Sequence, residues 1–276
     1  MTTTSVEAFL AQGLAAGTAA LAETAYLHNA RLSTAWGDIY GRGDIVRHMD
    51  RLARLFEGDK AAPLWLVRSD RHAAYCLQSG RDTGGPILAG LMDLAGGRVR
   101  RERQIWQASG AGKAVFAAPS CLVGPAVPPA WAGHDPAQLA SRLTAPALPS
   151  GAADARPVLD ALQVLLGAGR QDRAEHVLSA GVQLRTGAAA SVSGPQAVGR
   201  WLAGLRAGID QPAFLPEQAF QGTDAATGGP VTAVAWRLVD AGGAPAVRRG
   251  VGLFRTDAGV IDEIALVSTM AAEGRS

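Results

Sequence analysis

The residues best suited to chemistry lie in the stretch "TAWGDIY" at 34–40, just before a glycine-rich turn. Side chains alternate between two faces along an extended segment, here 32–40, so Leu32, Thr34, Trp36, Asp38 and Tyr40 are predicted to share one face. A carboxylate beside an indole and a phenol at the lip of an apolar pocket would have a raised pKa and could act as a general acid or base. The alternative is structural, because aspartate also favours turns through hydrogen bonds to nearby backbone.

Further side chains could line the same pocket. Tyr75 and His72 are three positions apart on one predicted strand, so they face opposite sides and one of them faces the pocket. Tyr75 could orient a carbonyl or epoxide oxygen, although a tyrosine packed against a helix fits the same position. His28 precedes the first predicted strand and could reach the pocket, but a lone histidine is usually structural or solvated. Trp65 is expected, with Trp36, to form a wall.

Two arginines on the strand at 98–107 are candidates for binding an anionic substrate group. Arg101 and Arg103 share one predicted face with Val99, opposite Glu102. The alternative to substrate binding is that this face of the sheet is solvated or lies at an interface. Glu102 interrupts the row of arginines, aromatic residues make up only 5% of the chain, and 26 basic residues against 24 acidic ones leave a net charge of +2. We therefore expect no nucleic-acid partner.

The composition indicates a packed protein. A hydrophobic content of 48% with 18% charged residues suits a compact fold, and 276 residues are enough for two domains. No long uncharged apolar stretch and no basic leader is present, so we expect a cytoplasmic protein without a membrane partner. Two unpatterned cysteines, and the lack of zinc, nucleophile-elbow and dinucleotide motifs, lead us to expect no metal and no cofactor.

The chain contains a repeat. "GRGDIVRHMDRLARLF" from 41 and "VSGPQAVGRWLAGLRAGI" from 192 each read as a glycine followed by an amphipathic helix, and they align Gly43 with Gly194. "LMDLAGGRVRRERQIW" from 91 and "LFRTDAGVIDEIALV" from 253 each read as strand, glycine turn, strand, and they align Gly97 with Gly259. The second copy is longer between these anchors, with the surplus in turn-forming loops.

Each copy shows the same order of helices, a short strand, the glycine-started helix and two hairpins. The sequence therefore predicts an α+β fold with domains at 1–110 and 155–272, joined by an Ala/Pro-rich linker at 111–154. The predicted hairpin strands are 63–69, 72–79, 85–94 and 98–107 in the first copy and 213–221, 231–240, 247–256 and 260–268 in the second, which also has a helix at 156–167.

This order of elements resembles the NTF2-like superfamily, specifically its SnoaL-like branch of polyketide cyclases. The resemblance rests on Gly43, Ile45 and the triplet 97–99 in the first copy, and on "AVAWRLVD" and "RRGVGLFRTDAGVIDEI" in the second. It implies two tandem cone-shaped domains, each with helices packed in a curved antiparallel sheet around a mostly apolar pocket. It also implies an intramolecular pseudo-dimer, and a homodimer of whole chains is a further possibility.

The resemblance also implies roles for particular residues. Asp38 lies near the catalytic aspartate of ketosteroid isomerases and of polyether epoxide-opening cyclases. The second acid of the isomerases falls on Ala89 or Val251, so ketosteroid isomerisation is not expected. Glu217 lies near the hairpin glutamate of the polyether cyclases, but Ala189 replaces the aspartate in that copy. Neither copy carries both groups of an acid/base pair.

We expect a cofactor-independent cyclase or isomerase that acts on a small apolar, polyketide-type substrate in the first domain. Asp38, Tyr40 and Tyr75 are the expected catalytic residues, and epoxide opening with ring closure is the most specific form of the hypothesis. The second domain would be a degenerate structural partner. The alternative is a noncatalytic small-molecule-binding or scaffold protein with similar pockets.

Overall fold

The computed structural model describes residues 5–12, 18–34, 37–55, 62–78, 87–107, 154–186, 191–241 and 247–269. Two compact units are present: the first contains 1–128, 186–189 and 222–229, and the second contains the rest of the chain. Each unit combines helices with strands, which confirms the mixed α+β class. Trp36 and all of the predicted linker except Asp154 lie outside the described residues.

The first unit places three helices beside six strands. The helices are α1 (Ser5–Gln12), α2 (Thr18–Ala25) and α3 (Arg42–Leu55). The strands are β1 (Tyr26–Thr34), β2 (Gly37–Tyr40), β3 (Ala62–Arg68), β4 (His72–Gln78), β5 (Ile87–Ala95) and β6 (Arg98–Gln107). Their order in the sheet is β2-β1-β6-β5-β4-β3. The four strands predicted from 63 to 107 are confirmed to within about two residues.

The helices of this unit cover one face of its sheet. On α3, Ile45, Met49 and Leu52 recur at helical spacing and are fully buried, as the sequence pattern predicts. Tyr26 from β1 and Tyr75 from β4 enter the same core from the sheet side. The inner face of the sheet thus carries the hydroxyl groups of two tyrosines as well as apolar side chains.

The second unit has the same sequence of elements. Its helical segments are α4 (Arg156–Leu162), a π-helical continuation (Gln163–Gly167), a 3₁₀ turn (Gln171–Arg173), α5 (Ala174–Val177) and α6 (Pro195–Gly204). Its strands are β7 (Leu178–Arg185), β8 (Val192–Ser193), β9 (Pro212–Asp224), β10 (Pro230–Asp240), β11 (Val247–Asp257) and β12 (Val260–Ser268), in the order β9-β10-β11-β12-β7-β8. The predicted helix and hairpin strands of this copy are confirmed. Across the described segments of the chain, no helix is long and apolar enough to span a membrane.

The sheets, which the sequence predicts to be antiparallel, contain a parallel pairing in each unit. The last strand of each unit pairs in parallel with the first, β6 with β1 and β12 with β7. Hydrophobic alternation identifies strands but does not show which strands are neighbours. In each unit the last strand lies beside the first, and the two run in the same direction.

The single extended strand expected at 32–40 is instead a hairpin of β1 and β2. Ser33 pairs with Asp38, and Arg31 pairs with Tyr40. Directly paired residues project to the same face, so Asp38 lies on the face of Ser33, while Leu32 points to the opposite, buried face. The reversal between the strands therefore moves Asp38 away from the helices, and Asp38 does not share a face with Leu32 as predicted.

Two glycines define the true equivalence of the copies. Gly41 has a φ of 84° and donates its N–H to the carbonyl of Ala30; Gly194 has a φ of 86° and donates to that of Val182. Each starts a helix, so Gly194 corresponds to Gly41 and not to Gly43 as predicted. Gly43 lies within α3.

These two positions are expected to respond in opposite ways to alanine. Gly41→Ala forces a left-handed conformation on a residue with a Cβ, which should lower the free energy of unfolding by about 1–2 kcal/mol. Gly43→Ala lies in a helix and should be neutral or stabilising by up to about 1 kcal/mol. Urea unfolding of both variants measures the difference, and equal effects would contradict the revised equivalence.

Candidate functional site

A carboxyl group lies buried on the inner face of the first unit. Glu102 on β6 is 2% exposed. Leu94 and Asp93 are adjacent on β5, yet they pair with Val99 and Arg101, so β6 carries one extra residue at 100. This β-bulge shifts the alternation and brings Glu102 to the same inner face as Val99, contrary to the predicted opposite faces.

Two buried tyrosines donate hydrogen bonds to this carboxyl group. The hydroxyl of Tyr26 on β1 donates to Oε2 of Glu102. The hydroxyl of Tyr75 on β4 donates to Oε1 at 2.5 Å. The parallel pairing of β1 with β6 brings Tyr26 to Glu102, across 76 positions of sequence. Glu102 therefore lies between two phenols from different strands.

A glutamine extends this network to helix α3. Nε2 of Gln104 lies 2.9 Å from the hydroxyl oxygen of Tyr75 and 3.4 Å from Oε1 of Glu102. Oε1 of Gln104 lies 3.0 Å from Nε2 of His48, which is 4% exposed. We call Tyr26, His48, Tyr75, Glu102 and Gln104 the Glu102 cluster.

The position of Tyr75 requires a glycine beside it. Gly90 on β5 pairs with Tyr75 on one side and with Gln104 on the other. A Cβ at Gly90 would overlap the ring of Tyr75, which lies over this residue. The missing side chain lets the phenol cross β5 and reach β6.

The burial of this cluster changes its proton affinities. Burial raises the pKa of Glu102 to about 7, although the hydrogen bonds from Tyr26, Tyr75 and Gln104 act in the opposite direction. Burial, followed by the nearby Glu102 carboxylate, raises the pKa values of Tyr26 and Tyr75 well above 10. Near neutral pH, Glu102 can thus gain or lose a proton while both phenols stay protonated.

Asp38 has a different environment from the one predicted. Its carboxylate lies 2.5 Å from the Arg31 guanidinium, 2.6 Å from the Ser33 hydroxyl and 3.4 Å from the Tyr40 hydroxyl. Partial burial would raise its pKa, but the hydrogen bonds from Ser33 and Arg31 and the Arg31 charge outweigh it, and the pKa of Asp38 is lowered. The expectation of a raised pKa is wrong, because the hairpin supplies these partners.

Two other candidates also lie on the outside of the first unit. Tyr40 is 57% exposed, and its ring centroid is 5.5 Å from the guanidinium carbon of Arg31. His28 is exposed on β1. Neither side chain is part of the Glu102 cluster, so the structure does not bring Tyr40 and His28 together with Tyr75.

The remaining candidates of the first unit face away from the cluster. Trp65 is buried, but it pairs with Cys76, the neighbour of Tyr75, and therefore points to the opposite face of the sheet. Arg101 is exposed and Arg103 is partly buried, and both project opposite to Glu102. Tyr75 is the predicted catalytic residue that joins the cluster.

Among the residues that the structure describes, the second unit has no equivalent of the Glu102 cluster. Glu217 lies there on β9, where its carboxylate is 2.6 Å from Nε of Arg237, and it has no part in the Glu102 cluster. Strand pairing gives the equivalents of the polar positions. Leu178 corresponds to Tyr26, Ile264 to Glu102 and Leu266 to Gln104, and all three equivalents are buried and apolar.

The sequence analysis missed Glu102 as a functional residue because it treated β6 as a regular strand. The sequence did contain an indication that Glu102 is buried. Glu102 and Gln104 share one face of the strand with the apolar Trp106, which is unusual for a face exposed to solvent. His48 is adjacent to Met49 on the core side of α3, and that position is also predictable from helical spacing. Within the described ranges, no three His, Cys, Asp or Glu side chains form a group that could hold a metal ion.

The pKa of Glu102 predicts a pH dependence of stability. Its folded-state value of about 7 exceeds the ordinary value of 4.5, so between these pH values the folded protein binds more protons than the unfolded chain. The contribution of this group to the free energy of unfolding is therefore greatest below about pH 4.5, and it declines by about 3 kcal/mol as the pH rises to about 7.

Chemical unfolding at a series of pH values measures this decline. Glu102→Gln should flatten it, whereas the matched change Glu217→Gln, outside the cluster, should leave it in place. A Glu102→Gln variant that keeps the full decline would show that another group causes it.

Comparisons with known proteins bear on the fold alone. No protein-family model and no curated protein matches the chain. An NTF2-like protein of unknown function from Mesorhizobium loti is 20% identical over 44% of this chain and 97% of its own, with a TM-score of 0.33. A SnoaL-like family protein from Agrobacterium tumefaciens is 13% identical over 38% and 95%, with a TM-score of 0.32.

A hypothetical protein with a ketosteroid isomerase-like fold from Catenulispora acidiphila is 16% identical over 42% of this chain and 85% of its own, with a TM-score of 0.32. By their names, these three neighbours are NTF2-like, SnoaL-like and ketosteroid isomerase-like proteins. Each match covers less than half of this chain, and these matches carry no statement about its activity, its substrate or a tandem arrangement.

Proposed function

We propose that the first unit is a cofactor-independent isomerase that moves a proton within a small, mainly apolar molecule. Glu102 takes and returns the proton. The observation that carries this proposal is a buried carboxyl group with a pKa of about 7, held between the hydroxyls of Tyr26 and Tyr75. Such a group is suited to acid and base roles at neutral pH.

The proposed reaction needs one carboxyl group. The Glu102 carboxylate removes a proton from the carbon next to a carbonyl, and negative charge develops on the carbonyl oxygen. As the carboxylate gains the proton, one of the two phenols, Tyr26 or Tyr75, turns its single O–H from Glu102 to that oxygen and donates a hydrogen bond in an apolar environment, where such bonds are strong. Protonated Glu102 then returns the proton to a second carbon, so that the product is an isomer and the enzyme is regenerated.

This chemistry favours isomerisation over epoxide opening. Ring closure onto an epoxide needs an acid for the epoxide oxygen and a base for the attacking hydroxyl at the same time. The hydrogen bonds to Glu102 come from Tyr26, Tyr75 and Gln104, so Glu102 is the group of the cluster to which we assign the proton transfer. Nε2 of His48 lies beside Oε1 of Gln104. A polyketide-type intermediate has the acidic protons beside carbonyls that the reaction needs. The proposal includes a tandem arrangement in which the second domain lacks this activity.

A second function, noncatalytic binding of a small molecule, is favoured by a specific observation. The polar groups of the cluster bond to one another, with Gln104 joining Tyr75 to His48. A network satisfied in this way can hold a core together without taking part in a reaction. In that case the first unit would bind its ligand and leave it unchanged.

Deuterium exchange distinguishes these functions. In D₂O, the protein should accelerate exchange of the protons beside the carbonyl in a panel of small apolar ketones that begins with 2-indanone. The rate should increase with pH through about 7, because the carboxylate is the active form. Glu102→Gln should reduce the acceleration roughly 10²-fold or more. Proton NMR follows the exchange directly.

Asp38→Asn is the matched control, since this carboxylate lies outside the cluster. It should exchange within about twofold of the unchanged protein. Equal acceleration by the Glu102→Gln variant would refute the catalytic role. Ketones that bind without faster exchange would identify the noncatalytic function.

A further inference from the structure

Among the buried polar atoms of the second unit that have no hydrogen-bond partner within the described ranges, two belong to one row of the sheet. They are Nε1 of Trp236 on β10 and Oγ of Ser268 on β12. Trp236 is 0% exposed and Ser268 is 1% exposed. Buried polar groups nearly always bond to protein, to water or to a ligand, so two unsatisfied groups in one core need an explanation.

A single strand, β11, separates these two residues in the sheet. Gly250 on β11 pairs with Trp236 on one side and with Ser268 on the other. A Cβ at Gly250 would overlap Cε2 and Cζ2 of Trp236, so the indole lies over the glycine. Cε2 is bonded to Nε1, and the edge of the ring that carries the N–H therefore lies over the residue next to Ser268.

Both side chains face the interior of the second unit. Ser268 lies two positions after Leu266, a member of the same buried core cluster as Trp236. The ring of Phe214 is 6.3 Å from that of Trp236, centroid to centroid. The two polar atoms are thus set among apolar and aromatic groups.

The donor and acceptor capacities of these groups define the complementary ligand. An indole N–H only donates, whereas a serine hydroxyl both donates and accepts. An oxygen atom with free lone pairs can bond to both groups, and the apolar surroundings favour a hydrocarbon body on the same molecule. We propose that Trp236 and Ser268 form a second small-molecule site, which binds a carbonyl or hydroxyl oxygen of an otherwise apolar molecule.

This site is not a copy of the Glu102 cluster. The row of the first unit that corresponds by strand pairing is Leu77, Leu88 and Trp106, so a leucine replaces the glycine and the serine is absent. In the next row of the second unit, Arg248 donates to the carbonyls of Gly204 and Ala207 and is already engaged. The proposal uses no residue of the Glu102 cluster and goes beyond the proposed function.

A pair of ligands tests the proposal on the unchanged protein. Acetophenone and ethylbenzene are both monosubstituted benzenes of similar size, and acetophenone carries the carbonyl oxygen. In the ¹⁵N spectrum of the tryptophan indoles, the Trp236 resonance, assigned by its loss in Trp236→Phe, should shift and saturate with acetophenone. The dissociation constant for acetophenone should be about five- to tenfold lower than that for ethylbenzene.

Substitutions test whether Ser268 is responsible for the preference for acetophenone. Ser268→Ala should raise the acetophenone constant about fivefold, towards that of ethylbenzene. Ser193→Ala, the same change at an exposed serine of this unit, should leave it unchanged. Glu102→Gln should also leave it unchanged, so failure here is distinguishable from failure of the proposed function. If Ser268→Ala does not fold, the Trp236→Phe variant, followed by isothermal titration calorimetry, should show the same loss of preference for acetophenone.

Three results would overturn the proposal. The first is equal affinity for the two ligands, and the second is a Trp236 resonance that does not respond to acetophenone. The third is a nuclear Overhauser contact between the Trp236 N–H and a bound water that persists at saturating acetophenone, since water would then satisfy the indole.

Discussion

Burial of the Glu102 carboxyl group is the constraint on which the account of this protein depends. A carboxylate removed from water is unfavourable unless it is protonated or receives hydrogen bonds from its surroundings. The first unit does both: burial raises the pKa to about 7, and Tyr26, Tyr75 and Gln104 supply donors. The result is a group whose charge changes near neutral pH inside a packed core.

The fold produces this environment through three local features. Parallel pairing of β6 with β1 brings Tyr26 beside Glu102, the bulge at Arg100 turns Glu102 inwards, and Gly90 lets Tyr75 cross β5. In the second unit the equivalent polar positions are apolar. That unit has its own unsatisfied pair at a different row of the sheet, so the two copies share elements but differ in the chemistry of their interiors.

The sequence predicted most of the elements because their signals are local. Helical spacing placed Ile45 and Met49 in the core, and alternation with glycine turns located eight strands. The candidate site was harder to predict, since its determinants are not local. A bulge changes the face of Glu102 without changing the strand pattern, and a hairpin gives Asp38 the partners Arg31 and Ser33, which lower its pKa. Of the predicted catalytic residues, Tyr75 lies in the cluster; the sequence put Tyr75 and His72 on opposite faces of β4 but did not decide which of them faces the interior.

The most direct test is the titration of Glu102 itself. Carbon NMR of the protein labelled with ¹³C at the glutamate carboxyl carbons, with the Glu102 resonance assigned by its loss in Glu102→Gln, reports the protonation of this group alone. The account predicts a midpoint at about pH 7. A midpoint near 4.5, the value of an exposed glutamate, would contradict it and remove the basis for acid/base chemistry in the first unit.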